Sequence, residues 1–336
     1  MKQTLEKPEN KKDIQLPSFF NVISKELSLV EENLIFKLPT KSKLLGEVIK
    51  YILSAGGKQF RPALCLLVAK ATGGITEKHI TLAELTELIH TASLIHDDII
   101  DSSKLRRGKE TINSLWNDKI SVISGDFLFA QASIRLGILE NTEIVKIYAK
   151  VLSDLCDGEI EQYSIRFNTN ILWDRYIEKS TTKTASLFAA ACKSAAILNK
   201  QDESTIEKAN NFGNNLGIAF QIVDDILDFT SSSKEIGKEI ACDLKQGVIT
   251  APTLFALHSK DERAKQLKEL IENQFTFSKD DFDKAIRLIF ELGGPERAKE
   301  LANSFILKAI ENLEFVQNEE LKNHLKTSTD YIVDRV

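Results

Sequence analysis

The sequence predicts an all-α, single-domain fold made of long helices, and three observations predict it. No proline occurs between Pro62 and Pro252, so nothing in that stretch breaks a helix by removing an amide donor. The same stretch is rich in Leu, Ile, Ala, Lys and Glu, and its apolar residues recur at about 3.6 positions, the period of one helix face. No strand-like alternation of useful length and no repeat of roughly 20 to 50 residues interrupts it. With 336 residues, 43% hydrophobic and 28% charged, the chain has ample material for a large core.

The elements follow in order. Residues up to about 40 are polar and carry Pro8, Pro17 and Pro39, which predicts a disordered start, a short helix near Phe20 to Phe36 and a boundary before the main body at 41–336. Gly56-Gly57, Gly73-Gly74, Gly108, Gly125, Gly237, Gly247 and Gly293-Gly294 mark helix ends and short connections. A helix begins after Gly74 and carries Leu82, Leu85, Ile89 and Ala92 on one face, with Thr81 and Glu84 a candidate capping pair at a second start.

Composition excludes several function classes. Net charge is −5 and the basic residues are dispersed, so no tract or patch argues for nucleic acid. Cys65, Cys156, Cys192 and Cys242 are widely spaced with no C-x-x-C, and read as small core residues in a reducing compartment rather than a zinc site. ASLFAAACKSAAIL from Ala185 is broken by Lys193 and too short for a membrane span of about 20 residues. The N-terminus has no apolar core and carries acids, unlike a signal or transit peptide. A soluble intracellular protein is the expectation.

The chemistry sits in two acidic clusters. LIHTASLIHDDIID, Leu88 to Asp101, ends in D-D-x-x-D, and Asp97 and Asp101 are four apart, neighbours one helical turn of about 5.4 Å apart. His90 and Ser93 lie on the same stripe, deeper in the bundle. Carboxylates this close beside apolar residues repel each other and drift toward protonation unless a cation stands between them. Magnesium suits the role, because it takes one or two carboxylate oxygens and fills its other positions with water and phosphate. A solvated acidic helix end is the plain alternative, but negative charge at a helix C-terminus opposes the dipole.

The second cluster, LGIAFQIVDDILDF, places Asp224, Asp225 and Asp228 in the same pattern after Gln221. Two such triplets facing each other across a cleft hold several divalent ions and clamp a diphosphate. Gly213 and Gly217 precede Gln221 on nearly the same face, where glycine costs about 1 kcal/mol against alanine, so that face needs room. Basic partners for a second anion stand at Lys58 and Arg61 in GGKQFRP and at Arg106 and Arg107 in KLRRGK, where the chain must turn back. Arg forks bind phosphate oxygens in pairs. Lys183-Thr184 opens another helix with a small-residue face, and Lys238 follows the second triplet.

GGKQFRP, HDDIIDSSKLRRG, GDFLFAQA, KTASLFA, GIAFQIVDDILDFT and DLKQGVITAPTLFAL together resemble the trans-isoprenyl diphosphate synthases, or polyprenyl synthetases, in family order from about Leu44 onward. GDFLFAQA, DGEIEQ, KTASLF and the DLKQG to TAPTLFAL segment are most like the solanesyl (all-trans-nonaprenyl) diphosphate synthases of cyanobacteria and plastids. The resemblance implies antiparallel helices around a deep central cavity, a homodimer, and two or three Mg2+ ions per site. It implies that Asp97 and Asp101 bind metal with Asp98 in support, and that Asp224 ligates a further ion supported by Asp225 and Asp228. Lys58, Arg61, His90 and Arg107 then hold isopentenyl diphosphate. Arg106, Lys183 and Lys238 hold the allylic diphosphate, while Thr184 and Gln221 face the reacting carbons. Gln59 stands where the family often has a second arginine, and Val248 where a lysine is common.

The implied reaction ionises the allylic C–O bond, lets the isopentenyl double bond attack the cation and loses a proton to the departing diphosphate. The sequence has no nucleophile and base pair that competes with this reading. The tail grows down the cavity beside the first aspartate helix, and short-chain members carry bulky aromatics four or five residues before the first aspartate. Here those residues are Ser93 and Ala92, which implies a long product near C45 for a quinone side chain; as a structural matter, small residues also permit close helix packing. Candidates for a deeper floor are Phe129, Ser133 and Leu136. Competing readings are a shorter-chain geranylgeranyl or farnesyl diphosphate synthase, a class I terpene cyclase, and a subunit of a heterodimeric synthase. The second D-D-x-x-D with GGKQFRP argues against a cyclase, and the intact acidic and basic sets argue against a non-catalytic subunit. The compartment implied is the cytoplasm or the plastid stroma.

Overall fold

The computed structural model describes residues 17–54, 59–106, 108–230, 240–278 and 280–336. The chain runs α1 (Ser18–Asn21), α2 (Ser24–Phe36), α3 (Lys43–Ser54), α4 (Phe60–Thr72) and α5 (Glu77–Ile100), then a short hairpin of β1 (Leu105–Arg106) and β2 (Lys109–Glu110). It continues through α6 (Ile112–Leu115), α7 (Asp118–Leu139), α8 (Thr142–Ser164), α9 (Trp173–Ser180), a π-helical turn (Thr181–Ala185), α10 (Ser186–Leu198) and α11 (Glu203–Thr230). The remainder is α12 (Cys242–Lys245), α13 (Ala251–Leu257), α14 (Arg263–Glu272), α15 (Asp281–Glu291), α16 (Gly294–Glu311), a 3-10 turn (Asn312–Phe315) and α17 (Glu319–Val333). The all-α expectation holds, and the hairpin is the sheet among the described residues.

Helices α4 and α10 are buried on nearly every side, as befits apolar helices at the centre of a bundle. Around them α5 packs along α7, α10 along α11, and α11 along α16. The approach of α11 to α10 depends on the two glycines singled out in the sequence. A β-carbon on Gly213 would lie 2.6 Å from the Phe188 carbonyl oxygen, and one on Gly217 2.5 Å from Ala185 Cα. The room those glycines provide is therefore filled by the neighbouring backbone, not by a ligand.

Helix α5 starts once, at Thr76. Its amide donates to His79 Nδ1 at 3.0 Å, and the two residues form a reciprocal cap. The Thr81 and Glu84 pair expected to cap a second start lies inside α5 instead, where Thr81 bonds the Glu77 carbonyl at 3.1 Å. Glu84 serves the core: it accepts from Arg135 Nε of α7 at 2.7 Å and from Asn33 Nδ2 of α2 at 2.5 Å. Gly125 is likewise not a helix end. It lies within α7, where a β-carbon would meet His96 Nε2 at 2.2 Å, so the glycine admits the His96 ring of α5.

The N-terminal segment is two helices, and both join the bundle: Phe19 and Phe20 are buried, and α1 packs on α17 while α2 packs on α5. The expected disordered start falls largely on residues 1–16, outside the described ones. The apolar segment from Ala185 is the core helix α10. Helix α7, not that segment, is long and apolar enough by length and composition to cross a membrane, yet its Arg135 is buried against Glu84. None of the four cysteines forms a disulfide, and Cys65 and Cys192 lie in the core.

Candidate active site

A cavity of about 1170 Å3 opens between α4, α5, α7, α8, the π turn and α11, above the 300 to 1,000 Å3 of ordinary ligand pockets. One end carries the charges, including Asp97, Arg106, Glu159, Lys183, Asp224, Asp228 and Asp243. Leu152, Leu155, Ile160, Phe129 and Ile100 supply apolar wall. Charge at one end and hydrocarbon along the wall is the arrangement for a molecule with an anionic head and a long apolar tail.

The first aspartate triplet divides its labour. Asp97, on the last turn of α5, faces the cavity. Burial pushes its carboxyl up to about 7, with Glu159 and Asp101 adding repulsion and Lys183 and Arg106 opposing it. Asp98 is turned away from the cavity and accepts from Arg106 Nε at 2.8 Å; that pair ties the hairpin to the end of α5. Asp101 is the residue that ends the helix, its amide bonded to the Asp97 carbonyl at 2.8 Å.

The second triplet divides in the same way. Asp224 and Asp228 face the cavity, and Asp225 is buried. Asp225 accepts from the Tyr176 hydroxyl at 2.7 Å, from Gln221 Nε2 at 2.7 Å and from the Ala251 amide at 3.1 Å, so its oxygens anchor α9, α11 and α13 together. Asp228 accepts from the amides of Cys242 and Asp243, each at 3.1 Å. Burial and the neighbouring Asp243 push Asp228 up to about 7. Burial also raises Asp224, against the pull of Arg335 and Arg61.

Lys183 and Thr184 do not open a helix; they occupy the π turn in the middle of the continuous α9 to α10 segment. The Ser186 amide reaches back five residues to the Thr181 carbonyl, a widened turn of the sort that helices use at functional sites. The Thr184 hydroxyl donates to Gln221 Oε1, and the Gln221 amide group passes the chain of bonds on to Asp225. Lys183 Nζ meets Glu159 Oε1 of α8 at 2.5 Å. Burial alone would lower the Lys183 ammonium, but Glu159 and Asp97 outweigh it and hold its pKa above the ordinary value.

Arg61 sits over the Phe188 ring at 4.5 Å and touches His90 Nε2 at 3.1 Å, and both basic residues line the cavity. A second cavity of about 100 Å3 adjoins them, bordered by Gln59, His90, Asp98 and Arg106. Lys58, Arg107 and Lys238 lie outside the described residues, as do Gly56, Gly57 and Gly237. The chain does turn back at KLRRGK, in the β1–β2 hairpin. Of the two small residues before the first aspartate, Ser93 lines the cavity, while Ala92 is buried in the helix packing and does not. Of the deeper candidates, Phe129 lines it and Ser133 faces outward. Leu136 is not on the wall, and Val248 is buried near the end of the DLKQGV segment.

Glu159, Asp243 and Arg335 were missed as site residues. The first two stand in DGEIEQ and DLKQG, segments already noted for their resemblance; Arg335 has no motif around it, and Arg335 Nη2 lies 2.8 Å from Asp224 Oδ1. The donor set fits a hard divalent cation. Asp97, Asp224 and Asp228 line one cavity, and carboxylate oxygens suit a metal that takes one or two of them and completes its shell with water and phosphate. A guanidinium already stands in for positive charge at Asp224.

The polyprenyl synthetase family profile matches residues 42–289. Solanesyl diphosphate synthase 1, chloroplastic, of Arabidopsis thaliana is 41% identical over 98% of this chain and 82% of its own length. A prenyl transferase of Cyanophora paradoxa is 44% identical, over 94% of this chain and 97% of its own. A polyprenyl synthase from Caulobacter crescentus, solved in complex with calcium and isoprenyl diphosphate, superposes with a TM-score of 0.88 at 28% identity, covering 95% of this chain and 98% of that one. This chain belongs to the polyprenyl synthetase family and is a trans-prenyltransferase.

Proposed function

We propose that the protein is a long-chain all-trans polyprenyl diphosphate synthase, adding isopentenyl diphosphate to an allylic diphosphate primer until the product nears C45, solanesyl diphosphate. The observation that carries this is the cavity of about 1170 Å3 with Asp97 and Asp224 at its charged end and Ser93 beneath. A Phe at position 93 would occupy that wall; a serine leaves it open to a growing tail.

Asp97 and Asp101 from α5, and Asp224 with Asp228 from α11, would hold Mg2+ ions. Such ions, two or three per site, would supply positive charge that lets the allylic diphosphate leave. Arg106 and Lys183 line the cavity and, with Lys238, would donate to the same oxygens and meet the developing negative charge. Lys58, Arg61, His90 and Arg107 orient isopentenyl diphosphate. Thr184 and Gln221 line the same cavity, where their oxygens would face the positive carbon. Leu152, Leu155 and Phe129 keep out water that would quench it. Asp98 and Asp225 act on position rather than on metal, since each is engaged by protein donors.

The working unit in this proposal is a homodimer. Ile123, Ile134 and Ile138 on α7 are each about half exposed and share one face of the helix at 3.6-residue spacing, an apolar row for a second copy to cover. The compartment is the plastid stroma or a bacterial cytoplasm, and the product serves a quinone side chain. The test is incorporation of labelled isopentenyl diphosphate into an apolar product. It should require a divalent cation and an allylic primer, and fall by orders of magnitude in Asp97→Ala and Asp224→Ala. Incorporation at the wild-type rate in chelator would overturn the reading.

A further inference from the structure

Arg335 follows α17 and lines the same cavity as Asp97 and Asp224. Its Nη2 meets Asp224 Oδ1 at 2.8 Å, and its guanidinium carbon stands 4.8 Å from the centre of the Phe220 ring. The contact is one-armed. Nη1 is buried and has no hydrogen-bond partner, whereas a guanidinium settled on a carboxylate uses two parallel bonds. The Asp224 side chain keeps about two fifths of its surface open (39%), so it remains reachable from the cavity.

We propose that Arg335 and a divalent cation exchange at Asp224: the guanidinium holds the carboxylate while the metal is away and leaves it when the metal binds. The inference rests on Asp224 being a metal ligand. Two cations on one carboxylate oxygen repel each other, so occupancy by one excludes close contact by the other. A cation there is favourable, because Asp228 and Asp243 line the same cavity and their charges repel that of Asp224.

The exchange needs only a side-chain rotation. Ile332 is buried, and Lys299 Nζ holds the Val336 carbonyl at 2.7 Å, so the backbone on both sides of Arg335 is anchored. A long, four-torsion side chain between two fixed points moves its head group without unfolding anything. Metal binding therefore works against one ion pair in the wild-type protein, and in the metal-free site the guanidinium offsets part of the repulsion among the carboxylates.

The experiment titrates Mn2+ alone, without substrate, into wild type, Arg335→Gln, Asp224→Asn and the double variant by calorimetry at constant pH. Removing the competitor should tighten Mn2+ binding in Arg335→Gln by about fivefold, the worth of one partly exposed ion pair. The double variant should show no such gain over Asp224→Asn. Unchanged or weaker Mn2+ binding in Arg335→Gln, with Asp224→Asn impaired, would overturn the exchange and leave the metal role of Asp224 standing. Wild-type Mn2+ binding in Asp224→Asn would instead remove the metal role on which the exchange rests. A thermal melt of each metal-free variant, with Arg335→Lys as a second substitution that keeps the charge and should restore wild-type affinity, separates competition from loss of fold.

Discussion

Gly217 and Ala185 are packed so closely that a β-carbon on the glycine would lie 2.5 Å from the alanine Cα and 2.8 Å from its Cβ. That contact sets α11 against the π turn, and so sets Gln221 against Thr184. Gly217→Ala must push the two helices apart. An overpacked core costs about 1 to 3 kcal/mol, and an ångström-scale displacement at a reaction centre costs roughly a hundredfold in rate. Denaturant melts and turnover of the purified variant should show both losses; normal turnover would mean that this contact does not set the site.

The aspartates of each triplet should separate by phenotype. Asp97→Ala removes a cavity-facing carboxylate, so turnover should fall by two to three orders of magnitude or more while the fold survives. Asp225→Ala strips the acceptor shared by Tyr176, Gln221 and Ala251, and leaving buried donors unpaired should cost about 3 to 5 kcal/mol. Equal stability of Asp225→Ala and wild type in urea would contradict this division.

Acidity provides an independent check on the charged end. Asp97 and Asp228 sit at about 7 in the metal-free protein, far above the roughly 4 of an unfolded chain. Between those values the folded state binds more protons than the unfolded one, so stability rises as pH falls through 7. Metal-free protein should therefore gain stability between pH 8 and pH 6 from these groups. Asp97→Asn with Asp228→Asn should flatten that gain, measured as the difference in Tm between the two pH values against wild type. Because the metal competes with protons for the same oxygens, Mg2+ affinity should fall over the same interval. An identical pH response in the double variant would show that other groups carry it.

Ser93 and Ala92 are adjacent, but only Ser93 faces the cavity. Ser93→Phe should shorten the product by several C5 units and leave stability nearly unchanged. Ala92→Phe forces a ring into filled space, so it should cost stability and expression. Product sizing and melts of the two variants distinguish a wall residue from a packing residue.

Much of this architecture was legible in the residues. The proline-free stretch and its helical period gave the bundle, and the paired D-D-x-x-D motifs gave the two helices that carry the charge. Spacing put Asp97 and Asp101 on one face, and the resemblance set Asp98 and Asp225 apart as supporting residues; what was not legible is which donors engage those two, because Arg106, Tyr176 and the Ala251 amide reach them only through the fold. Gly213 and Gly217 were readable as a face that needs room, but not that neighbouring backbone at Phe188 and Ala185 fills it. The π turn at Lys183 leaves no composition signal, since it is a local change of hydrogen-bond register. Arg335 is more than 100 positions from Asp224 in sequence, and no motif links them. Thr81 and Glu84 show the opposite failure: a good local capping pattern was overridden by the Arg135 and Asn33 partners that the fold brings to Glu84.

The central claim is that one cavity joins a metal-bound diphosphate to an open apolar wall for a long chain. Its most direct test is chromatographic sizing of the dephosphorylated products made by the wild-type protein from isopentenyl diphosphate, Mg2+ and C10, C15 or C20 primers. The account predicts linear all-trans alcohols centred near C45 from any primer accepted. Products that stop at C15 or C20, or cyclic hydrocarbons formed without isopentenyl diphosphate, would contradict it.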